Sequence, residues 1–173
     1  METRPSNIWG PLSKLGLITA AAALVIDQAS KLWLIEAFDL ASKGIIKLMP
    51  FVDLVLTWNT GISYGWFAQE GQLGQAALLA FKALAVVLLW IWLARSVSRL
   101  SAVALGLIIG GAIGNAIDRA TYGAVADFVL LYVETSTWRF NWYVFNLADV
   151  AIVAGVGFLL YESLWGDSAP KGP

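Results

Sequence analysis

The chain has 173 residues, of which 59% are hydrophobic and only 13% charged, and its formal net charge is −1. That balance describes a small integral membrane protein, excludes an ordinary soluble domain and speaks against a nucleic-acid binder. Cys and His are both absent, which removes disulfides, thiolate zinc sites, the cysteine nucleophile, the usual general base and the commonest metal ligand. Hydrolytic chemistry in this chain would have to run on carboxylates, hydroxyls or lysine, and neither a cofactor nor a metal is expected.

The chain opens with a polar leader carrying Arg4 and Lys14. The first apolar run, residues 15–35, is long enough at ~1.5 Å per residue to cross ~30 Å of hydrocarbon. Small residues at 20–23 behind a basic leader also fit a cleavable signal peptide. The run continues past Asp27 and Lys31 through Trp33-Leu34-Ile35, which favours a retained helix.

Residues 36–70 change character. Charges mix with strand-like alternation over residues 51–58, and Asn59-Thr60-Gly61 is turn-prone. The pattern predicts a small extramembrane sheet resting on the bilayer, with Trp58, Trp66 and Phe67 at headgroup level. The second span is predicted at 73–93, interrupted by Lys82 and closed by Arg95 and Arg99.

The third span is predicted at 101–119. Its Gly106, Gly110 and Gly114 recur every fourth residue, the spacing that lets helix backbones approach closely. No strand precedes them, so a phosphate-binding loop is the poorer reading. A second, amphipathic outer segment, residues 122–143, contains Asp127 and the aromatic cluster Trp138, Phe140, Trp142 and Tyr143. The fourth span, 145–165, leads into a Gly/Pro/Ser tail. The fold expected is an all-α membrane core of four transmembrane helices in one domain, with a small β extramembrane part.

Arg4, Lys14, Arg95, Arg99 and Lys171 share one side if the N-terminus is inside, whereas the outer loops carry Lys43, Lys47 and Arg139. The positive-inside rule then predicts both termini in the cytoplasm. That orientation gathers Asp27, Lys31, Asn115, Asp118, Arg119, Asp127, Asn146 and Asp149 near the outer membrane boundary. An acid inside a spanning segment is a functional site by default.

These acids are not equivalent. Asp27 has Lys31 four residues on, and Asp118 has Arg119 beside it and Asn115 one turn back, so both fit a charge-compensating scaffold. Asp127 and Asp149 have no Lys or Arg within one helical turn of sequence. Asn146, three residues before Asp149, would share its helix face. Two carboxylates brought together cannot both ionise easily and share a proton, the arrangement of an aspartic protease dyad. A proton-conducting or transport protein and a purely structural four-helix scaffold are the other readings of the same residues.

Asp27-x-x-x-Lys31, Asn59-x-Gly61, GGAIGNAIDR (residues 110–119), Val125-x-Asp127-Phe128 and FNLAD (residues 145–149) together resemble the bacterial prolipoprotein signal peptidases, the type II signal peptidases. The five motifs stand in the family's order, and the match spans residues 27–152. The resemblance implies an aspartic endopeptidase of the bacterial inner membrane, with its active site near the periplasmic face. Its substrates would be prolipoproteins, cut just before a diacylglyceryl-modified cysteine, and its inhibitors globomycin-type cyclic peptides. It implies Asp127 and Asp149 as the catalytic pair. Asp27, Lys31, Asn59, Gly61, Asn115, Arg119 and Asn146 match the family's polar and glycine positions, and Asp118 belongs to the same motif. The chain departs from the family at Ile62-Ser63-Tyr64-Gly65 and at Val144, beside the motifs rather than in them. Membrane lipids would be the other partner, holding the lipidated precursor at the surface.

Overall fold

The computed structural model describes residues 8–60 and 72–166, with backbone alone for residues 72–79, 81 and 82. Arg4, Gly61 to Gly65, Trp66, Phe67 and Lys171 lie outside the described residues. The elements run α1 (Ser13–Leu32), a π-helical turn (Trp33–Ala37), α2 (Leu40–Lys43), β1 (Ile46–Met49) and β2 (Val52–Asn59). They continue with α3 (Gln72–Arg95), α4 (Arg99–Tyr122), β3 (Val125–Glu134), β4 (Arg139–Phe145) and α5 (Leu147–Trp165). Among the described residues, Ser13–Ala37, Arg99–Tyr122 and Leu147–Trp165 are long and apolar enough to cross a membrane. Helix α3 has 24 residues, as many as α4.

Helix α4 is the axis of the bundle. Ser98 caps its start, its Oγ accepting the Ser101 N–H at 3.3 Å. Gly123 ends it with φ 73°, a left-handed conformation that glycine adopts without a Cβ penalty. Its four-residue glycine repeat faces α1. A Cβ on Gly106 would collide with the Gly16 carbonyl, and one on Gly110 with the Ala20 carbonyl. On the α5 side Gly111 meets the Ala148 carbonyl, and Gly155 of α5 meets the Ala104 carbonyl of α4. The helices therefore touch backbone to backbone, where dispersion is the main attraction available in lipid. Leu93 of α3 completes this core with Ala20, Ala102, Leu105 and Ile109.

The outward side chains are apolar. Leu17, Ile18, Val25 and Ile26 on α1 and Val153, Leu160 and Leu164 on α5 are exposed, as a face in contact with acyl chains requires. At the opposite end from the sheet, Glu162 of α5 accepts hydrogen bonds from Ser98 and Ser101, closing α5 onto the start of α4.

Both outer segments enter one antiparallel sheet of order β1-β2-β3-β4. The alternation at 51–58 is strand β2, as its pattern predicts. Residues 122–143, read from the sequence only as an amphipathic segment, supply the β3–β4 hairpin, because their aromatic and β-branched residues suit a half-buried pleat. Asp127 stands opposite Thr57, and Val125 opposite Asn59, with a bulge between Leu54 and Thr57. Arg139 reaches across β3 to Asp53 at 2.8 Å, with its guanidinium 4.1 Å from the Tyr132 ring centre. Leu34, Leu40 and Phe128 form a second apolar core that ties the sheet to the end of α1.

The backbone contacts yield a contrast between two glycines. Gly110→Val overpacks the α1–α4 contact and should destabilise the protein by about 1–3 kcal/mol. Nothing lies within 4 Å of a Cβ on Gly157, so Gly157→Ala should leave the melting temperature unchanged or raise stability by roughly 0.5–1 kcal/mol. Thermal unfolding in detergent checks both, and an unaltered Gly110→Val protein would contradict direct α1–α4 backbone contact.

Candidate active site

Five elements meet at the sheet end of the bundle, each bringing polar groups. The last turns of α1 bring Asp27, Gln28 and Lys31, and the last turns of α4 bring Asn115, Asp118 and Arg119. Strand β2 ends in Asn59, β3 begins beside Asp127, and α5 starts from Asn146 and Asp149. Asp27, Lys31, Asn115, Asp118, Arg119, Asp127 and Asn146 are all buried.

Asn146 does not stand on a helix face with Asp149, as its spacing suggests. It is the N-cap of α5, in extended conformation, with its Oδ1 accepting the Asp149 N–H at 3.0 Å. Asp149 reciprocates, its Oδ2 accepting the Asn146 N–H at 3.2 Å. This capping box satisfies two N–H groups that a helix start leaves open. It also holds the Asp149 carboxylate over the positive end of the helix dipole, where a negative charge is favoured.

The same Asn146 side chain joins the two aspartates. Its Nδ2 donates to Asp127 Oδ1 at 2.6 Å and to Asn115 Oδ1 at 3.0 Å. Asn115 Nδ2 in turn donates to Asp149 Oδ1 at 3.0 Å. Asn59 Nδ2 donates to the other oxygen of Asp127 at 3.1 Å, because β2 lies beside β3. Each aspartate thus has both oxygens met by amide donors. Asp127 is 2% exposed, and burial, followed by the negative charge of Asp149, pushes its pKa from 3.8 up to about 6. The amides of Asn59 and Asn146 and the charge of Lys31 oppose that rise without cancelling it.

Behind this pair lies a cluster of compensated charge. Lys31 Nζ donates to Asp27 Oδ2 at 2.9 Å, Asp118 Oδ2 at 2.8 Å and Asn115 Oδ1 at 3.1 Å. The Asp27–Lys31 pair is the one that helical spacing predicts. Asp118 interacts electrostatically with its sequence neighbour Arg119, and it also pairs at 2.8 Å with Lys31, from another helix. Arg119 is buried within electrostatic reach of Asp127, Asp118 and Asp149. Gly61 lies outside the described residues.

Sequence reasoning missed Gln28. Its Nε2 donates to Asp118 Oδ1 at 2.9 Å, to the Gly114 carbonyl at 3.2 Å and to Asp27 Oδ2 at 3.2 Å. The signal was present, since a Gln between Asp27 and Lys31 in an apolar run needs a partner as much as they do. The Asp53–Arg139 pair, residues 86 apart, was also missed.

Asp149 is half-buried and opens onto a cavity of about 340 Å³ lined by Leu131, Trp142, Tyr143, Phe145, Val150 and Val153. A second cavity of about 270 Å³ adjoins it over Phe51, Val133 and Phe140, sharing Leu131 and Trp142. An apolar track therefore leads across the sheet to a carboxylate. Among the described residues, no group of three or more acidic side chains is arranged to hold a metal ion. A carboxyl with a raised pKa next to a second carboxylate, at the end of an apolar groove, is equipped for general acid–base chemistry on a bound chain.

Comparison with known proteins gives a consistent result. The family model for signal peptidase II matches residues 19–165. The chain is 61% identical over 160 residues to a lipoprotein signal peptidase of Rhodopseudomonas palustris strain TIE-1, covering 92% of this chain and 98% of that one. It is 61% identical over 158 residues to the lipoprotein signal peptidase of Nitrobacter hamburgensis, covering 91% and 96%. Among solved structures it resembles a bacterial membrane enzyme determined by the in meso method at 2.3 Å, with TM-score 0.69, 20% identity and coverage of 92% and 95%. At that identity the likeness speaks for the fold alone.

The raised pKa of Asp127 has a consequence for stability. The neutral form is favoured in the folded state, so this contribution is fully present below pH 3.8 and is lost as pH rises through about 6. At roughly 1.4 kcal/mol per unit, it amounts to about 3 kcal/mol at most. Asp127→Asn does not titrate. Its melting temperature relative to the native protein should therefore rise between pH 4 and pH 7.5, and a pH-independent difference would show that Asp127 is not held neutral by its surroundings.

Proposed function

The chain belongs to the signal peptidase II family, and on that premise we propose that it removes the signal peptide from lipid-modified prolipoproteins as an intramembrane aspartic endopeptidase. The observation that carries the reading is the Asn146 side chain and backbone tying Asp127 to Asp149. The transport reading calls for acids spread through the depth of the membrane. Here Asp27, Asp118, Asp127 and Asp149 share one end of the bundle, and Glu162 stands at the other.

In the proposed reaction the buried Asp127 holds the shared proton and Asp149, facing the groove, is ionised. Asp149 takes a proton from water as the water oxygen adds to the scissile carbonyl carbon, and Asp127 gives its proton to the carbonyl oxygen. Collapse of the resulting diol breaks the C–N bond. Asp149 then delivers its proton to the leaving amine, and Asp127 recovers one from a diol hydroxyl. The amides of Asn59, Asn115 and Asn146 hold the carboxylates in place throughout, and Arg119 stabilises the negative charge that passes between them.

The bond cut is the one just before a diacylglyceryl-modified cysteine. Two acyl chains hold a peptide firmly to a membrane, so the lipid itself sets the depth of the scissile bond. The apolar track over Leu131 and Trp142 supports this reading, since it connects the pair to a lipid-facing surface. Four spans with both termini cytoplasmic, in a bacterial inner membrane, put the site at the periplasmic face, in accord with Lys14, Arg95 and Arg99 at the other end. A cyclic peptide of the globomycin type would inhibit by occupying the groove before Asp149.

Purified protein in liposomes should cut a precursor carrying diacylglyceryl-cysteine rapidly and the same peptide with free cysteine little or not at all. Asp127→Asn and Asp149→Asn should each lower kcat by about 10²–10⁴-fold or more while the protein stays folded. Mass spectrometry of the released signal peptide reads all four rates. Turnover by either variant near the native rate contradicts the pair, and absence of cleavage together with proton flux would favour transport.

A further inference from the structure

Lys31 has three N–H donors, and three acceptors surround it. They are Asp118 Oδ2 at 2.8 Å, Asp27 Oδ2 at 2.9 Å and Asn115 Oδ1 at 3.1 Å. The side chains of Lys31, Asp27 and Asp118 are 3%, 0% and 2% exposed, so water does not replace these bonds. Each branch leads on to one of the two aspartates. Asp118 Oδ2 also accepts the N–H of Ala126 at 3.2 Å, the residue before Asp127. Asp27 Oδ1 accepts the N–H of Ala148 at 2.9 Å, the residue before Asp149. The third branch runs through Asn115, whose Nδ2 meets the Asp149 carboxylate at 3.0 Å.

We propose that Lys31 is a positioning residue that sets the separation of Asp127 and Asp149, through the backbone N–H groups of Ala126 and Ala148 and the amide of Asn115. The two aspartates belong to a strand and a helix joined along the chain by the β3–β4 hairpin, a long and deformable path, and Asn146 bridges their carboxylates. The ammonium gives a short path. It draws Asp118 and Asp27 to one point, and each carboxylate holds the peptide group next to a reacting residue. Lys31 also fixes the Asn115 amide, because a carbonyl oxygen turned toward the ammonium leaves its NH₂ turned toward Asp149. Gln28 braces the assembly from the side by bonding both carboxylates.

Separation matters twice to such a pair. It decides whether the two carboxylates can act on a single water and a single carbonyl, and it decides how strongly one charge opposes the other. A lysine is suited to the task because its three donors fan out around one atom. The planar fork of arginine cannot meet three acceptors placed around a point.

This role rests on the Asp127–Asp149 reading given above, and the test separates the two. The native protein, Lys31→Arg, Lys31→Met and the double variant Lys31→Met/Asp118→Asn are compared on the diacylglyceryl-modified precursor. The double variant leaves the net charge of the cluster unchanged, and the oxygen of the introduced amide can keep the bond from the Ala126 N–H, so it remains informative if Lys31→Met alone fails to fold. Circular dichroism and thermal melting establish the folded fraction. Each folded variant should lose about 100-fold in kcat, the cost of a misplacement of about 1 Å, with KM within threefold of native. The two limbs of the pH–rate profile should draw together by about one pH unit in the double variant, because more distant carboxylates repel each other less. Activity that falls only with the folded fraction, an unchanged profile in the double variant, or full rescue by Lys31→Arg would each overturn the proposal. Native-like turnover by Asp127→Asn or Asp149→Asn would instead remove the pair itself, and this role with it.

Discussion

A carboxylate withdrawn from water costs several kcal/mol unless donors meet its oxygens, and this chain withdraws Asp27, Asp118 and Asp127 together, with Asp149 half-buried beside them. The arrangement of the sheet end follows from that demand. Asp27 and Asp118 are met by Lys31, Gln28 and two backbone N–H groups. Asp127 and Asp149 accept hydrogen bonds from the amides of Asn59, Asn115 and Asn146. The first pair is neutralised by a cation and fixed. The second is held by amides, and burial, followed by the charge of Asp149, raises the pKa of Asp127 to about 6.

The glycines of α4 make this possible. Donors as short as Asn115 and Gln28 can span from helix to helix only where backbones touch, and Gly106, Gly110 and Gly114 let α1 come that close. At Gly114 the neighbour is the Asp27 carboxylate itself, so the helix contact merges into the polar cluster without a change of spacing. A larger residue there would push α1 away and open the Lys31 contacts at once. Packing and chemistry share the same four-residue repeat.

Much of this was legible in the sequence because it is local. Apolar runs marked the spans, α4 carried its glycine period openly, and Asp27 with Lys31 announced a helical ion pair. The strand at 51–58 showed its alternation. What stayed hidden depends on pairing between distant segments. Lys31 meets Asp118 only because α1 packs along Gly106, Gly110 and Gly114 of α4, and Asn59 meets Asp127 only because β2 pairs with β3 around a bulge. Strand β3 was obscured because residues 128–133 are apolar throughout, so it lacks the polar alternation of an ordinary surface strand. The spacing of Asn146 from Asp149 gave a shared helix face, whereas Asn146 is the N-cap of α5, because a helix start needs an acceptor.

The central claim is that Asp127 and Asp149 form a pair with one proton between them, held by Asp127. Infrared difference spectroscopy of protein labelled with ¹³C at the aspartate carboxyl carbons tests it without substrate. A proton on Asp127 gives the carbonyl stretch of one protonated aspartate at pH 5, lost as pH rises through about 6 and absent from Asp127→Asn. Fully ionised aspartates at pH 5, or a protonated band that survives Asp127→Asn with its titration unchanged, would contradict it.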